Sequence, residues 1–291
     1  MKIKINGEEY ITNTDSETEL KKRTLSIKRI VVHGGKFHAD DVFCAALVLL
    51  CDPETEVCRV NCVPDEYKSD EMTIIADIGF GKYDHHQPDA ECRENGNRYA
   101  ACGLLFRDLK TIIFGDNKNA AARFEKLFIE PVETSDNGGR KNPLSEAISA
   151  FNPEWDSETA SDEAFAHALV FVIGIITREI NRAKSEERAK GIVEKAFRES
   201  DGNVVVLPYY VPWQYFLIPT SAEYVLYPSN RGGYNLQTVR KDISTKESKR
   251  LLPEEWLSEK PEGCTFVHPG RFIACFENLR SAITVASELT S

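Results

Sequence analysis
Long apolar runs, an excess of positive charge and closely paired cysteines are all missing from this chain of 291 residues. The longest apolar stretches, Val42 to Leu50 and Ala168 to Ile176, fall well short of the roughly 20 residues that a bilayer-spanning helix needs, so no membrane passage is expected. No apolar segment follows Met1-Lys2-Ile3-Lys4, so no targeting leader is expected there. Lys and Arg number 36 against 46 Asp and Glu, a formal net charge of −10. A general binder of long DNA carries a basic footprint, which this balance excludes. It does not exclude small phosphorylated substrates held through metal ions. None of the eight cysteines forms a CxxC pair, which removes the spacing of a structural zinc site. They read as buried free thiols of a cytoplasmic protein. With 42% apolar and 28% charged residues the composition is that of a globular protein of one large domain or two modest ones.

The order of patterns predicts three segments. Residues 1–25 read as an extension, a hairpin from Lys2 to Thr12 turning at Asn6-Gly7 and then a polar linker from Asn13 to Arg23. Strand and helix alternate from residue 26: a strand at Ser26–His33, a helix carrying Val42 to Leu50 and capped by Asp40 or Asp41, and strands at Val57–Cys62 and Thr73–Ala76. Helices follow at Tyr99–Leu109 and Asn119–Ile129, which together predict an α/β domain with a mainly parallel sheet. A helical stretch from Asp162 to Ser200 should divide near Lys184 to Arg188 and Gly191. Beyond it, strands at Val204–Leu207, Tyr224–Tyr227, Tyr234–Val239, Cys264–Val267 and Phe272–Phe276, with a closing helix at Leu279–Leu289, predict a smaller α+β domain. The expected division is 26–190 and 191–291.

Four of the six histidines fall in two short motifs, His33-Gly34-Gly35-Lys36-Phe37-His38-Ala39-Asp40-Asp41 and Tyr83-Asp84-His85-His86-Gln87. Each follows an apolar strand, and loops after strand C-termini converge on one crevice in an open α/β sheet. Ala76-Asp77-Ile78-Gly79 adds a carboxylate at the same edge, and Ser135-Asp136-Asn137-Gly138 places another in a turn. Carboxylates gathered in one crevice repel, and divalent cations remove the conflict. Imidazole with carboxylate suits a borderline ion, manganese first, with magnesium, iron, cobalt or zinc as alternatives. The set is too large for one four-coordinate ion and suits two metals sharing a carboxylate, an arrangement used to attack phosphorus. His167, inside an apolar helix, reads as a core histidine.

These motifs resemble those of the DHH phosphoesterase superfamily, and more closely its branch named after the melanocyte proliferating gene. That branch shows His-Asn-Gly-x-Phe-His-x-Asp-Glu, then Tyr-Asp-His-His-Gln, then a late Gly-Cys-x-Phe-Val-His, matched here by Gly263-Cys264-Thr265-Phe266-Val267-His268. The likeness runs from about Ser26 to Leu289. It implies a DHH-type metal-binding catalytic domain with a smaller substrate-binding domain, and a 3′–5′ exonuclease or oligonucleotidase acting on short single-stranded RNA or DNA. It also implies His33, His38, Asp40, Asp77, His85 and Asp136 as ligands of two ions, His86 polarising the phosphate and Asp84 orienting a histidine. His268 and Arg271 would lie at the substrate cleft. Arg231, opening a locally basic stretch that runs to Arg250, is a further substrate candidate. Gly34 and Asp41 stand where the branch has Asn and Glu, and Ala274-Cys275 where it has glycine. A phosphohydrolase for pyrophosphate or a cyclic dinucleotide, or a non-catalytic nucleotide-binding module, are the other readings; a homo-oligomer fits any of them.

Overall fold
The computed structural model describes residues 2–11, 26–200, 203–243 and 245–289. The expected linker at 13–23 lies outside them. The chain is mixed α/β and forms two compact units, Met1–Asn181 and Arg182–Ser291.

The first unit is built on a five-stranded sheet of order β2-β1-β4-β3-β5, with β1 at Lys2–Ile5, β2 at Glu8–Ile11, β3 at Arg29–His33, β4 at Glu56–Val60 and β5 at Thr73–Ile75. β3 pairs in parallel with both β4 and β5, as the buried apolar runs Ile30-Val31-Val32 and Val57-Cys58 require of a sheet covered on both faces. The N-terminal hairpin is not a separate extension. β1 pairs in parallel with β4, and Ile3 and Ile5 enter the main core. The Asn6 side chain fixes this docking, accepting from the Arg59 N–H at 2.8 Å and donating to its carbonyl at 3.2 Å.

α1 (Ala39–Cys51) is buried along its whole length, wedged between the sheet and α3 (Ala101–Phe114). After α2 (Asp65–Lys68) and α3, α4 (Lys118–Phe124) runs through a π-helical turn at Glu125–Ile129 into α5 (Glu130–Asp136), and α6 (Pro143–Ser149) follows. α7 spans Ser161–Arg198 without a break. Neither Gly191 nor the Lys184–Arg188 charges divides it, and the change of unit falls within the helix, between 181 and 182 rather than at 190/191. His167 is exposed rather than a core residue, because Ala164, Phe165, Ala166, Ala168 and Leu169 take the buried positions around it.

The second unit carries another five-stranded sheet, β6-β7-β8-β10-β9, with β6 at Val204–Val206, β7 at Tyr224–Pro228, β8 at Tyr234–Thr238, β9 at Cys264–Val267 and β10 at Ile273–Phe276. α8 covers Gln214–Leu217 and α9 Leu279–Glu288. One face packs Tyr224, Leu226, Leu236, Ala274 and Phe276 with Ala282 and Val285 of α9. The other packs Val205, Val225 and Tyr227 with Ala189 and Val193 from the end of α7. Gly233 has φ +68°, and a Cβ there would stand 2.2 Å from the Phe276 carbonyl oxygen, so the turn before β8 needs glycine.

Candidate metal centre
The C-terminal ends of β3 and β5 deliver two of the four motifs to one place. His33 is the last residue of β3, and Asp77 follows β5 in a left-handed conformation, φ 60°, that Asp tolerates. The Asp77 N–H donates to the Tyr83 carbonyl, which brings Tyr83-Asp84-His85-His86 back beside the strand end. Gly34 sits against β4, its N–H donating to the Val60 carbonyl at 2.8 Å.

Asp77 links the groups. Its Oδ2 lies 3.4 Å from His33 Nε2, and its Oδ1 lies 3.4 Å from His85 Nε2 and 3.8 Å from His86 Nδ1. Around it form three sets of mutually close donor atoms: His33 with Asp41 and Asp77, Asp77 with His85 and His86, and Asp40 with His85 and Asp136. His85 Nε2 is 3.3 Å from Asp136 Oδ2 and 3.8 Å from Asp40 Oδ2. His38 lines the same cavity of about 870 Å³ but is exposed, its ring 5.4 Å from that of His33. Lys36 and Arg98 also line it, the only side chains of fixed positive charge to do so among the described residues.

The tautomers follow from the hydrogen bonds. Asn137 donates through Nδ2 to the carbonyls of Arg98, Tyr99 and Glu133, which aims its Oδ1 at His85 Nδ1, 3.2 Å away. His85 must therefore carry its proton on Nδ1. In the neutral ring the Nε2 lone pair then faces three carboxylates, and that buried atom makes no sound hydrogen bond. His33 likewise gives Nδ1 to the Gly34 carbonyl at 3.1 Å and turns Nε2 to Asp41 Oδ2 at 3.3 Å, itself a buried oxygen without a hydrogen-bond partner among the described residues. Lone pair against carboxylate is repulsive unless a proton or a metal cation lies between, and orphaned buried polar atoms are rare. An imidazole and carboxylate donor set with Nδ1 anchored from behind fits borderline divalent ions.

The charge distribution agrees. Burial raises Asp40, Asp41 and Asp136 above the usual carboxylate range, and the Asp77 charge raises them further. For His85 burial opposes protonation, yet Asp77, Asp40 and Asp136 outweigh it and push the ring to about 9. Asp84 goes the other way. Burial raises it, but the His86 N–H, the His86 ring at 2.7 Å and the Phe80 N–H hold it low.

Besides Lys36 and Arg98 on the cavity wall, two residues escape the sequence reading as site members, Asp41 and Asn137. In the sequence Asp41 reads only as a helix cap or a replaced Glu, although a second carboxylate beside Asp40 on a strand-end motif is a usable signal. Asn137 reads only as part of a turn. Asp40 proves not to cap α1. Its two oxygens accept from the Ala101 and Cys102 N–H groups at 2.9 and 2.7 Å, at the start of α3. Asp41 does serve α1, accepting from the His38 and Val42 N–H groups.

The substrate candidates lie in the second unit. Arg231 and His268 line one cavity there, of about 700 Å³. Arg271 does not, because a left-handed turn at that residue (φ 54°) sends its guanidinium to the Leu252 carbonyl at 3.5 Å and to Glu254 at 3.6 Å. Of the cysteines, Cys44, Cys51, Cys58 and Cys102 are buried free thiols, whereas Cys62 and Cys92 are exposed. No helix among the described residues is long and apolar enough to cross a membrane.

Residues 29–289 match the model of the MYG1 exonuclease family, described as uncharacterised protein family UPF0160. Among curated relatives, a MYG1 protein of Saccharomyces cerevisiae is 26% identical, with 89% of this chain and 94% of the relative covered. The MYG1 exonuclease of Mus musculus is 25% identical over 89% of this chain and 83% of its own length, and that of Homo sapiens is 23% identical over 91% and 86%. Among solved structures, RecJ from Thermus thermophilus in complex with Mn2+ aligns over 90% of this chain and 51% of its own at 14% identity. Its TM-score of 0.29 is too low to establish a shared fold.

Proposed function
The chain belongs to the MYG1 exonuclease family, and on that premise we propose that it is a divalent-metal-dependent phosphodiester hydrolase of the DHH type, trimming short single-stranded RNA or DNA from an end. The observation that carries this reading is the shared position of Asp77, whose two oxygens address two groups of imidazole and carboxylate donors. His33, Asp41 and Asp77 would hold one ion, and Asp40, His85 and Asp136 with Asp77 the other, with His38 completing a shell from its exposed position. Such ions, manganese by the donor chemistry, supply Lewis-acid stabilisation of charge on a phosphoryl group.

The remaining work falls to the chain's own side chains. Asp84 accepts the Nδ1 proton of His86, fixing a ring that is otherwise exposed and leaving Nε2 to face the cavity. Held against that carboxylate, the His86 ring is placed to stabilise a phosphate oxygen whose charge grows in the transition state. Lys36 and Arg98, on the cavity wall, add positive charge for the incoming phosphate. Arg98 also donates to the carbonyls of Gln87 and Pro88, so it braces the loop that carries His86.

The test is hydrolysis of end-labelled oligonucleotides of two to ten residues by the purified full chain, metal-stripped and reloaded with one ion at a time. Mononucleotide release that needs a divalent ion and disappears in Asp77→Asn supports the reading. Hydrolysis indifferent to chelation, or none on any oligonucleotide, overturns it.

A further inference from the structure
The sheet of the second unit is covered unequally. On the α9 face, apolar side chains from all five strands pack together, that of β6 being the partly buried Val204. On the opposite face the cover provided by the end of α7 stops at β7. The half-face made by β8, β10 and β9 carries instead the rows Asn235–Cys275–Phe266 and Gln237–Ile273, paired in register.

Two cavities, both lined by Tyr210, adjoin here: the larger lies on this half-face, and the smaller lies where Gln237 of β8 meets α8 and the Arg182–Glu186 pair of α7. The larger, about 700 Å³, has Arg231, His268 and Phe272 on its walls, and the smaller, about 360 Å³, has Tyr215, Gln237 and Arg240. Each thus offers aromatic surface together with a guanidinium. In the larger cavity His268 packs on Phe272 with ring centres 4.2 Å apart, and its Nδ1 accepts from the Gly270 N–H, so the ring proton sits on Nε2 as a donor. In the smaller, Gln237 Oε1 accepts from Tyr227, which leaves its amide nitrogen to donate. Asn235 and Gln237, one for each cavity, are two residues apart on β8, a step of about 7 Å along a strand. That is the reach of one extended nucleotide. Tyr210, 53% exposed, leans on the buried Tyr227 at a ring distance of 5.3 Å and stands between the cavities.

We propose that these two cavities hold the end of a single-stranded oligonucleotide in two adjoining nucleotide subsites, with the Tyr210 ring between the two bases. The proposal rests on the oligonucleotide reading above and adds a length preference: a dinucleotide fills both subsites, and a mononucleotide fills one. Arg231 and Arg240 meet the backbone charge, while the rings meet base faces whatever the sequence.

Calorimetric titration of the full chain in EDTA, where metal-dependent cleavage is suppressed, tests it with three probes: adenosine monophosphate, the RNA dinucleotide pApA and the corresponding tetranucleotide. The dinucleotide should bind roughly 5- to 150-fold more tightly than the monophosphate, the increment of one further stacked base, and the tetranucleotide should gain little more. Tyr210→Ala should bring mono- and dinucleotide affinities together, Tyr210→Phe should keep them apart, and Arg240→Ala should weaken pApA binding. Because Tyr210 is exposed, a circular-dichroism melt should show these variants folded as the wild type. Equal affinities for the two probes, or a dinucleotide preference that survives Tyr210→Ala, overturns the proposal. Its failure is separable from that of the hydrolase reading. Metal-dependent cleavage with kcat and KM untouched by Tyr210→Ala removes the subsites and leaves the hydrolase. Tyr210-dependent binding without cleavage of any oligonucleotide removes the hydrolase and leaves the subsites.

Discussion

Replacing Asp77 by Asn should make the metal-free protein more stable and the metal-treated one less so. The amide has the shape of the carboxylate, tolerates the left-handed backbone at this position, and leaves the Asp77 N–H bond to Tyr83 intact. What it removes is a negative charge, 5% exposed, that adds to burial in driving up Asp40, Asp41 and Asp136, a relief larger than the attraction to His85 that is lost with it. One pKa unit of relief on one of those groups corresponds to about 1.4 kcal/mol. A gain of about 1–2 kcal/mol is therefore expected in EDTA, or roughly 2–8 °C for a unit of this size. In the wild type, Mn2+ at a hundred times its Kd should add about 2.7 kcal/mol, roughly 5–11 °C. In Asp77→Asn most of that increment should vanish, since two of the three sets of donors lose their common member. Scanning calorimetry at pH 7.5, with and without Mn2+, measures both shifts. An undiminished Mn2+ shift in Asp77→Asn would refute the account of Asp77 as the joint between two sites.

The remaining predictions concern protons, rate and packing. Asp40, Asp41 and Asp136 hold protons more tightly in the folded chain than in the unfolded one, and His85 does so up to about 9 against an ordinary 6.5. The folded state thus binds more protons, so metal-free stability should fall as pH rises from about 6.5 through 9, and Mn2+ should flatten the slope; a metal-free Tm that climbs over that range contradicts the charge arrangement. His86→Ala should keep its metal by elemental analysis and lose kcat together with kcat/KM, and a missing metal equivalent would make His86 a ligand instead. Asp41→Asn should bind less metal than the wild type; full retention would leave Asp41 a helix-capping group only. Gly103→Ala should destabilise the first unit by about 3 kcal/mol or more, because its Cβ would overlap Glu133 Oε1, and Glu133 holds Arg93 at 2.6 Å in a buried pair. Unchanged denaturant stability in that variant would mean the pair is not where it is described.

The candidate site was more legible in the sequence than its supports were. Strand-end placement of His33, Asp77 and the Asp84-His85-His86 motif follows from period and polarity, which one sequence displays. The second line of residues does not display itself that way. Asn137 acts by turning its amide through three carbonyl acceptors, a geometry that exists only once α3 and α5 are packed. Asp40 and Asp41 are adjacent and chemically identical, and only the fold sends one to its own helix and the other to a different one. The N-terminal hairpin is legible but its docking is not, because β1 meets β4 across more than fifty residues of chain. The unbroken α7 defeated a rule of propensity, since one glycine and a charged patch weaken a helix without ending it where packing holds both sides. In the second unit the strands were readable within a residue or two, whereas the turn that carries Arg271 away from the cavity depends on a backbone angle that its neighbours do not announce.

Asp40 is engaged on two sides, by the first amides of α3 and by the carboxylate-rich site. Those amides form the positive pole of a 14-residue helix, so the site possesses a fixed counter-charge that neither titrates nor dissociates. Ala101 is the first residue of that helix, a place where proline is ordinarily welcome. Here proline would delete the N–H that Asp40 depends on and would be excluded for reasons of chemistry rather than folding. Position 101 belongs to the site through its backbone alone, and a scan that replaces side chains by alanine would pass over it, because it already is one.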